Sequence, residues 1–152
     1  MTPIRIADQP RWLRDISPPL LIMASIFYLS SRSRLVEIEE GVYDVLFYKS
    51  SHLIAYAILA WCWWRALTAQ RMTTWSILLS AFAITSLYGL LDEIHQSSVP
   101  GRHATVYDVL FDTAGALLMV LLIRRIPWLR KFPENISFFT SSGEGNPPQL
   151  VS

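Results

Sequence analysis

Four apolar stretches dominate this chain, at about residues 16–31, 51–67, 74–94 and 106–123. Each is close to the ~20 residues with which an α-helix crosses a bilayer. Charged residues make up only 16% of the 152-residue chain and hydrophobic residues 52%, against about 25% charged in an ordinary soluble domain. The pattern predicts an all-α, polytopic membrane protein, a bundle of four transmembrane helices. A net charge of +1 offers no basic footprint, so nucleic acid is not an expected partner. Cys62 is the only cysteine and lies inside an apolar run. An intrachain disulfide and a Cys-based zinc site are therefore excluded, and the residue reads as a small buried apolar one.

The stretches organise the rest. Residues 1–15 read as a cytoplasmic N-terminal segment, 16–126 as the membrane domain, and 127–152 as a disordered cytoplasmic tail rich in Gly, Pro and Ser. The first stretch has the basic start and short apolar core of a signal peptide, but the Ser-Ser-Arg-Ser after it offers no A-x-A-like cleavage site, so a retained helix is expected. Pro18 and Pro19 are expected in its first turn, where a missing N–H costs little. Arg32 to Tyr48, carrying Glu37, Glu39, Glu40 and Asp44, reads as an exposed loop.

Basic residues orient the chain. Arg5, Arg11, Arg14, Arg65, Arg71, Arg124, Arg125, Arg130 and Lys131 fall on one side, against Arg32, Arg34, Lys49 and Arg102 on the other. That bias places both termini in the cytoplasm. All six tryptophans fall near the cytoplasmic ends and all six tyrosines toward the outer half, as interfacial anchors of alternating spans would.

Polar residues on three helices then arrive at one depth. Lys49, His52 and Tyr56 share a face of the second helix, and Tyr88, Asp92 and His95 a face of the third, with Glu93 and Gln96 a quarter-turn round. Asp108, Asp112 and Gly115 align on the fourth. Val99-Pro100-Gly101-Arg102 suits a type II turn between the last two helices. Each element also fits a structural role. The histidines suit interfacial hydrogen bonding, Thr105 with Asp108 suits a helix cap, and Arg102 suits a lipid-phosphate anchor. Lys49 and Glu93 suit snorkelling, and the tyrosines suit the aromatic belt. Asp112 is harder to explain that way, because it lies about 9 Å into its helix at 1.5 Å per residue. Acids there usually face the bundle interior and a partner, and Gly115, one turn on, lets a neighbouring helix pack close.

Tyr88-Gly-Leu-Leu-Asp92-Glu93-Ile-His95-Gln96, followed by Val99-Pro100-Gly101-Arg102 and Asp108, closely resembles the signature of the VanZ-like family, as does Lys49-x-x-His52-x-x-x-Tyr56. The resemblance covers about Lys49 to Leu122. It implies a bacterial multi-pass plasma-membrane protein of the cell envelope, in a family named after a protein linked to resistance to the glycopeptide teicoplanin. The name carries little mechanism, and most members lack the surrounding resistance operon. The chain departs from the family pattern in having Tyr48 where members often have Asp, Asp112 where they often have Asn, and Met119 near a usual glycine. Asp112 is therefore expected to pair with Lys49 or Arg102.

Three functions stay open. An enzyme acting on a lipid or lipid-linked cell-wall precursor would use His95 as leading general base, oriented by Asp92 or Glu93. His52 would complete the catalytic group. Lys49 and Arg102 would hold phosphate, and Tyr56, Tyr88, Gln96, Asp108 and Asp112 would line the ligand site. No serine or cysteine nucleophile is evident. The His and acid residues are plausible N and O ligands, but their spacing matches no zinc motif, so no metal and no cofactor are assigned. A transporter or binder would capture the same ligand unchanged, helped by a homodimer and a proton relay. A structural or accessory protein would use the cluster only to lock helices together.

Overall fold

The computed structural model describes residues 11–32, 42–68, 72–100, 102 and 105–130. Four helices run in order, α1 (Arg11–Ser30), α2 (Val42–Thr68), α3 (Thr74–Gln96) and α4 (Val106–Arg125), and no strand occurs among the described residues. Two of them, α3 and α4, are long and apolar enough to cross a membrane.

Helix starts follow local chemistry. Thr73 caps α3, its hydroxyl accepting from the Ser76 backbone N–H at 3.2 Å. Thr105 caps α4 in the same way, accepting from the Asp108 N–H at 3.3 Å. Each hydroxyl satisfies a donor that the first turn leaves orphaned.

Two expectations about helix ends are corrected. Residues 42–48, expected in an exposed loop, are the first turns of α2, because a helix needs hydrogen bonds rather than apolarity and continues past its membrane-length run. Residues 33–41 of that loop, including Glu37, Glu39 and Glu40, lie outside the described residues. Pro18 and Pro19 are not in the first turn of α1, which begins at Arg11, but in its interior. Pro18 has no N–H to offer the Arg14 carbonyl four residues back. Ser17 Oγ donates to that carbonyl instead, at 3.4 Å.

The helices alternate in direction. Asp15 near the start of α1 meets Arg65 near the end of α2 at 3.7 Å, and the Arg124 guanidinium lies over the Trp75 ring at 4.3 Å. At the opposite end, Ser30 meets Asp92, and Lys49 meets Asp108. The first end is packed with apolar side chains, where Trp64, Ile77, Leu78, Ala81 and Ile123 form a buried cluster. A second cluster of Ile26, Tyr56 and Leu59 adjoins the polar end.

Small residues set the helix separations. Ala81, Thr85 and Gly89 follow at intervals of four along the buried ridge of α3, a spacing that lets helix backbones approach. Gly115 is the tightest point, where an added Cβ would lie 2.3 Å from the Leu53 carbonyl oxygen of α2. Side-chain polarity is inverted relative to a soluble bundle. Leu21, Leu29, Ile54, Leu79, Leu87, Leu110 and Leu118 point outward, while Asp92, Glu93, Gln96 and Asp112 are buried.

Candidate functional site

The polar residues form two adjoining networks, divided by the two buried faces of α3. One joins α1 to α3. Asp92 Oδ2 accepts from Ser30 Oγ at 2.9 Å and from Gln96 Nε2 at 2.7 Å. Arg102 donates to Gln96 Oε1 at 2.9 Å and to the carbonyls of Leu29 at 3.1 Å and Arg32 at 3.3 Å. Those carbonyls lie at and just past the end of α1, where helical donors run out; the Leu29 carbonyl also accepts from the Arg32 N–H at 3.3 Å. Arg102 thus closes α1 onto α3. His95 stacks on Phe27 with centroids 4.3 Å apart, and its Nε2 shares a hydrogen bond of 2.9 Å with Ser31 Oγ. Tyr88 donates to the Met23 carbonyl at 2.6 Å.

The other network lies among α2, α3 and α4. Lys49 Nζ pairs with Asp108 Oδ1 at 3.2 Å and sits 4.8 Å from the centre of the Phe111 ring. Thr105 Oγ1 donates to the second oxygen of Asp108 at 2.7 Å, so the capping residue and the ion pair are one unit. One turn deeper, His52 Nδ1 lies 3.1 Å from Asp112 Oδ1. Glu93 completes the group, and one ligand-competent atom from each of His52, Glu93 and Asp112 falls within 4.8 Å of the others. Side-chain exposure falls from 28% at Lys49 to 15% at His52 and nil at Asp112, so the network runs from the surface inward.

The deep end is unsatisfied. Both oxygens of Glu93, Asp112 Oδ2 and the Tyr56 hydroxyl are buried without a hydrogen-bond partner among the described residues. A buried polar atom left so costs about 1–3 kcal/mol, and a buried charge more. Space beside them is kept by Gly89, where an added Cβ would lie 3.1 Å from Asp112 Cβ and 3.2 Å from the Tyr56 ring.

The geometry revises three sequence expectations. Asp112 pairs with His52, whereas Lys49 takes Asp108 and Arg102 takes Gln96 and backbone carbonyls. His95 is positioned by Ser31 and Phe27 rather than by Asp92 or Glu93; the histidine held by a carboxylate is His52. The single pocket expected from depth alone is two networks. Ser30, Ser31 and Gly89 were not foreseen as parts of either. The two serines end the first apolar stretch at the depth of Asp92, and Gly89 continues the four-residue spacing of Ala81 and Thr85, which are the signals that could have found them. The i to i+3 hydrogen bond from Arg102 N to the Val99 carbonyl, 3.2 Å, closes a turn. The type II assignment rests on Gly101, outside the described residues.

The bundle combines two helices long and apolar enough to cross a membrane, many outward-facing apolar side chains and ionisable groups buried at one end. The VanZ/LLP1 family model matches residues 9–129, and the chain belongs to that family. No curated protein and no solved structure matches it.

Proposed function

We propose that the chain is a multi-pass protein of the bacterial plasma membrane, with four membrane-spanning helices, both termini cytoplasmic and the polar end facing outward. Residues 16–126 form the membrane domain and 127–152 the cytoplasmic tail. Supporting this, α1 and α2 also turn large apolar side chains outward, among them Leu20, Leu21, Phe27, Ile54 and Ile58. Their charges, such as Arg11, Arg14, Asp15 and Arg65, sit toward helix ends at the apolar side of the bundle, as the positive-inside bias requires.

At the polar end the protein binds or processes a lipid or a lipid-linked envelope intermediate. The observation that carries this reading is the unsatisfied group of Glu93, Asp112 and Tyr56 beneath His52, with Lys49 at its rim. A purely structural lock would satisfy its own atoms, and interhelical hydrogen bonds average only about 0.6 kcal/mol in the best-measured membrane protein. Lys49 lies where a headgroup phosphate would arrive. In the enzymatic form of the reading His52 is the general base, its ring oriented by Asp112. The Ser30–Asp92–Gln96–Arg102 network favours a structural role for that part of the site, because its hydrogen bonds tie α1 to α3. The teicoplanin link of the family name is not carried over to this chain.

Native mass spectra of the detergent-purified full chain test the reading, with wild type beside Glu93→Gln and His52→Ala. A discrete lipid-mass adduct on the wild type that both variants lose supports it, and an adduct whose mass changes with time marks catalysis. The same spectra count subunits and so test the homodimer. A bare wild type beside variants that misassemble sinks it in favour of the structural role.

A further inference from the structure

We propose that His52, Glu93 and Asp112 form a binding site for a divalent first-row cation of the Zn2+ or Mn2+ kind. Three helices supply one ligand each, α2 the imidazole and α3 and α4 the carboxylates. The three ligand-competent atoms already lie within 4.8 Å of one another, with His52 Nδ1 and Asp112 Oδ1 at 3.1 Å. A tetrahedral ion with ligands at about 2.1 Å holds them about 3.4 Å apart. Glu93 is the arm that closes the difference, because neither of its oxygens is held by a hydrogen bond among the described residues.

Independent of the spacing, the site contains polar atoms with nothing to bind. Glu93 is 4% exposed and Asp112 fully buried, yet three of their four carboxylate oxygens lack a partner among the described residues, and so does the fully buried Tyr56 hydroxyl. Charge balance favours the same occupant. As metal ligands, two carboxylates and a neutral imidazole would together carry −2, and a dication would make the buried group neutral, which removes the cost of isolated charge in a medium of low dielectric. An imidazole with two carboxylates suits Zn2+ and Mn2+ better than the all-oxygen preference of Mg2+ or Ca2+. Three protein ligands leave at least one position open, the mark of a site that engages a substrate or water rather than one that only braces a fold. The open position, with Tyr56 beside it and Lys49 toward the surface, would receive a phosphate oxygen. This last point rests on the lipid reading above; the cation site itself does not.

The test uses the full chain in detergent, stripped with chelator, loaded with Zn2+ or Mn2+ alone, desalted, and assayed for bound metal by mass spectrometry of the elements. Wild type and Asp15→Asn, an acid at the opposite end of the bundle, should each retain one ion per chain. Glu93→Gln and Asp112→Asn should weaken retention at least about tenfold, the scale of losses on disturbing metal-site ligands. Because losing a buried acid can also unfold the bundle, the wild type carries a second readout. Pulsed electron paramagnetic resonance of bound Mn2+ should show coupling to an imidazole nitrogen, absent in His52→Ala. A wild type that retains no metal, a Glu93→Gln variant that retains it fully, or bound Mn2+ without nitrogen coupling overturns the site. A metal-free wild type that keeps its lipid adduct overturns the cation site alone, and a metal-loaded wild type with no adduct supports it while the lipid reading fails.

Discussion

Gly115 is decided by a single atom. The Leu53 carbonyl oxygen occupies the place a Cβ would take, 2.3 Å away, and it belongs to backbone that cannot swing aside. Gly115→Ala should therefore cost about 1–3 kcal/mol, the range for overpacking, read as a lowered unfolding midpoint in detergent. Gly89→Ala should cost less, since its closest neighbours at 3.1–3.3 Å are side-chain atoms of Asp112 and Tyr56. If the two variants melt together, the backbone contact is not what sets the α2–α4 distance. The His52–Asp112 pair is the second residue-scale case. Removing one partner of a buried hydrogen bond strands the other and costs about 1–3 kcal/mol. His52→Ala and Asp112→Asn should each destabilise on that scale, and the double variant should cost clearly less than their sum. Strict additivity would mean that the 3.1 Å approach carries no coupling.

At the scale of elements, α1 is the loosest of the four. It packs on α2 and α3, and its two prolines interrupt its own ladder. Its C-terminal half is tied to α3 and the turn after it through Tyr88 to the Met23 carbonyl, Ser30 to Asp92, and Arg102 to the Leu29 carbonyl. Each such bond is worth about 0.5–1.5 kcal/mol. Tyr88→Phe with Ser30→Ala should consequently speed hydrogen exchange in the last two turns of α1 while leaving α2 and α4 unchanged. Equal acceleration in all four helices would show that α1 does not move as a separate unit. The α3 ridge explains how both networks arise from one helix. The face bearing Tyr88, Asp92 and His95 turns to α1, whereas Gly89 and Glu93, one residue further on, turn to α2 and α4.

For the whole molecule, orientation is the open quantity with the sharpest test. In a Cys62→Ala background, Ser98→Cys at the exposed polar end should react with a membrane-impermeant maleimide in intact cells. Thr74→Cys at the opposite end should react only after permeabilisation. The reverse pattern would place the termini outside and turn the site toward the cytoplasm. In the membrane proposed above, the bundle would have little hydrophobic force of its own, so its stability would rest on close packing at small residues and on interhelical polar contacts. That is why substitutions at Gly115 and His52 are expected to be felt throughout the molecule.

Helix number, the Thr105 cap of α4 and the depth of Asp112 were legible in the sequence, because each depends on composition or spacing within one segment. The VanZ-like signature was legible too, as a contiguous motif from Tyr88 to Arg102. The start of α2 was not, because Asp44, following Glu37, Glu39 and Glu40, made its first turns look like loop. Nor was the partner of each acid. Helical periodicity tells which residues share a face but not which neighbouring helix that face meets, and residues one position apart, Asp92 and Glu93, went to different networks. The sequence alone determined a helical chain with apolar spans and ionisable residues at one depth. Only the tertiary structure, through the close approach at Gly115 and the rotation of α3 between its neighbours, decided that His52, Glu93 and Asp112 would meet, since pairing is set by how helices pack against each other and not by the order of residues within them.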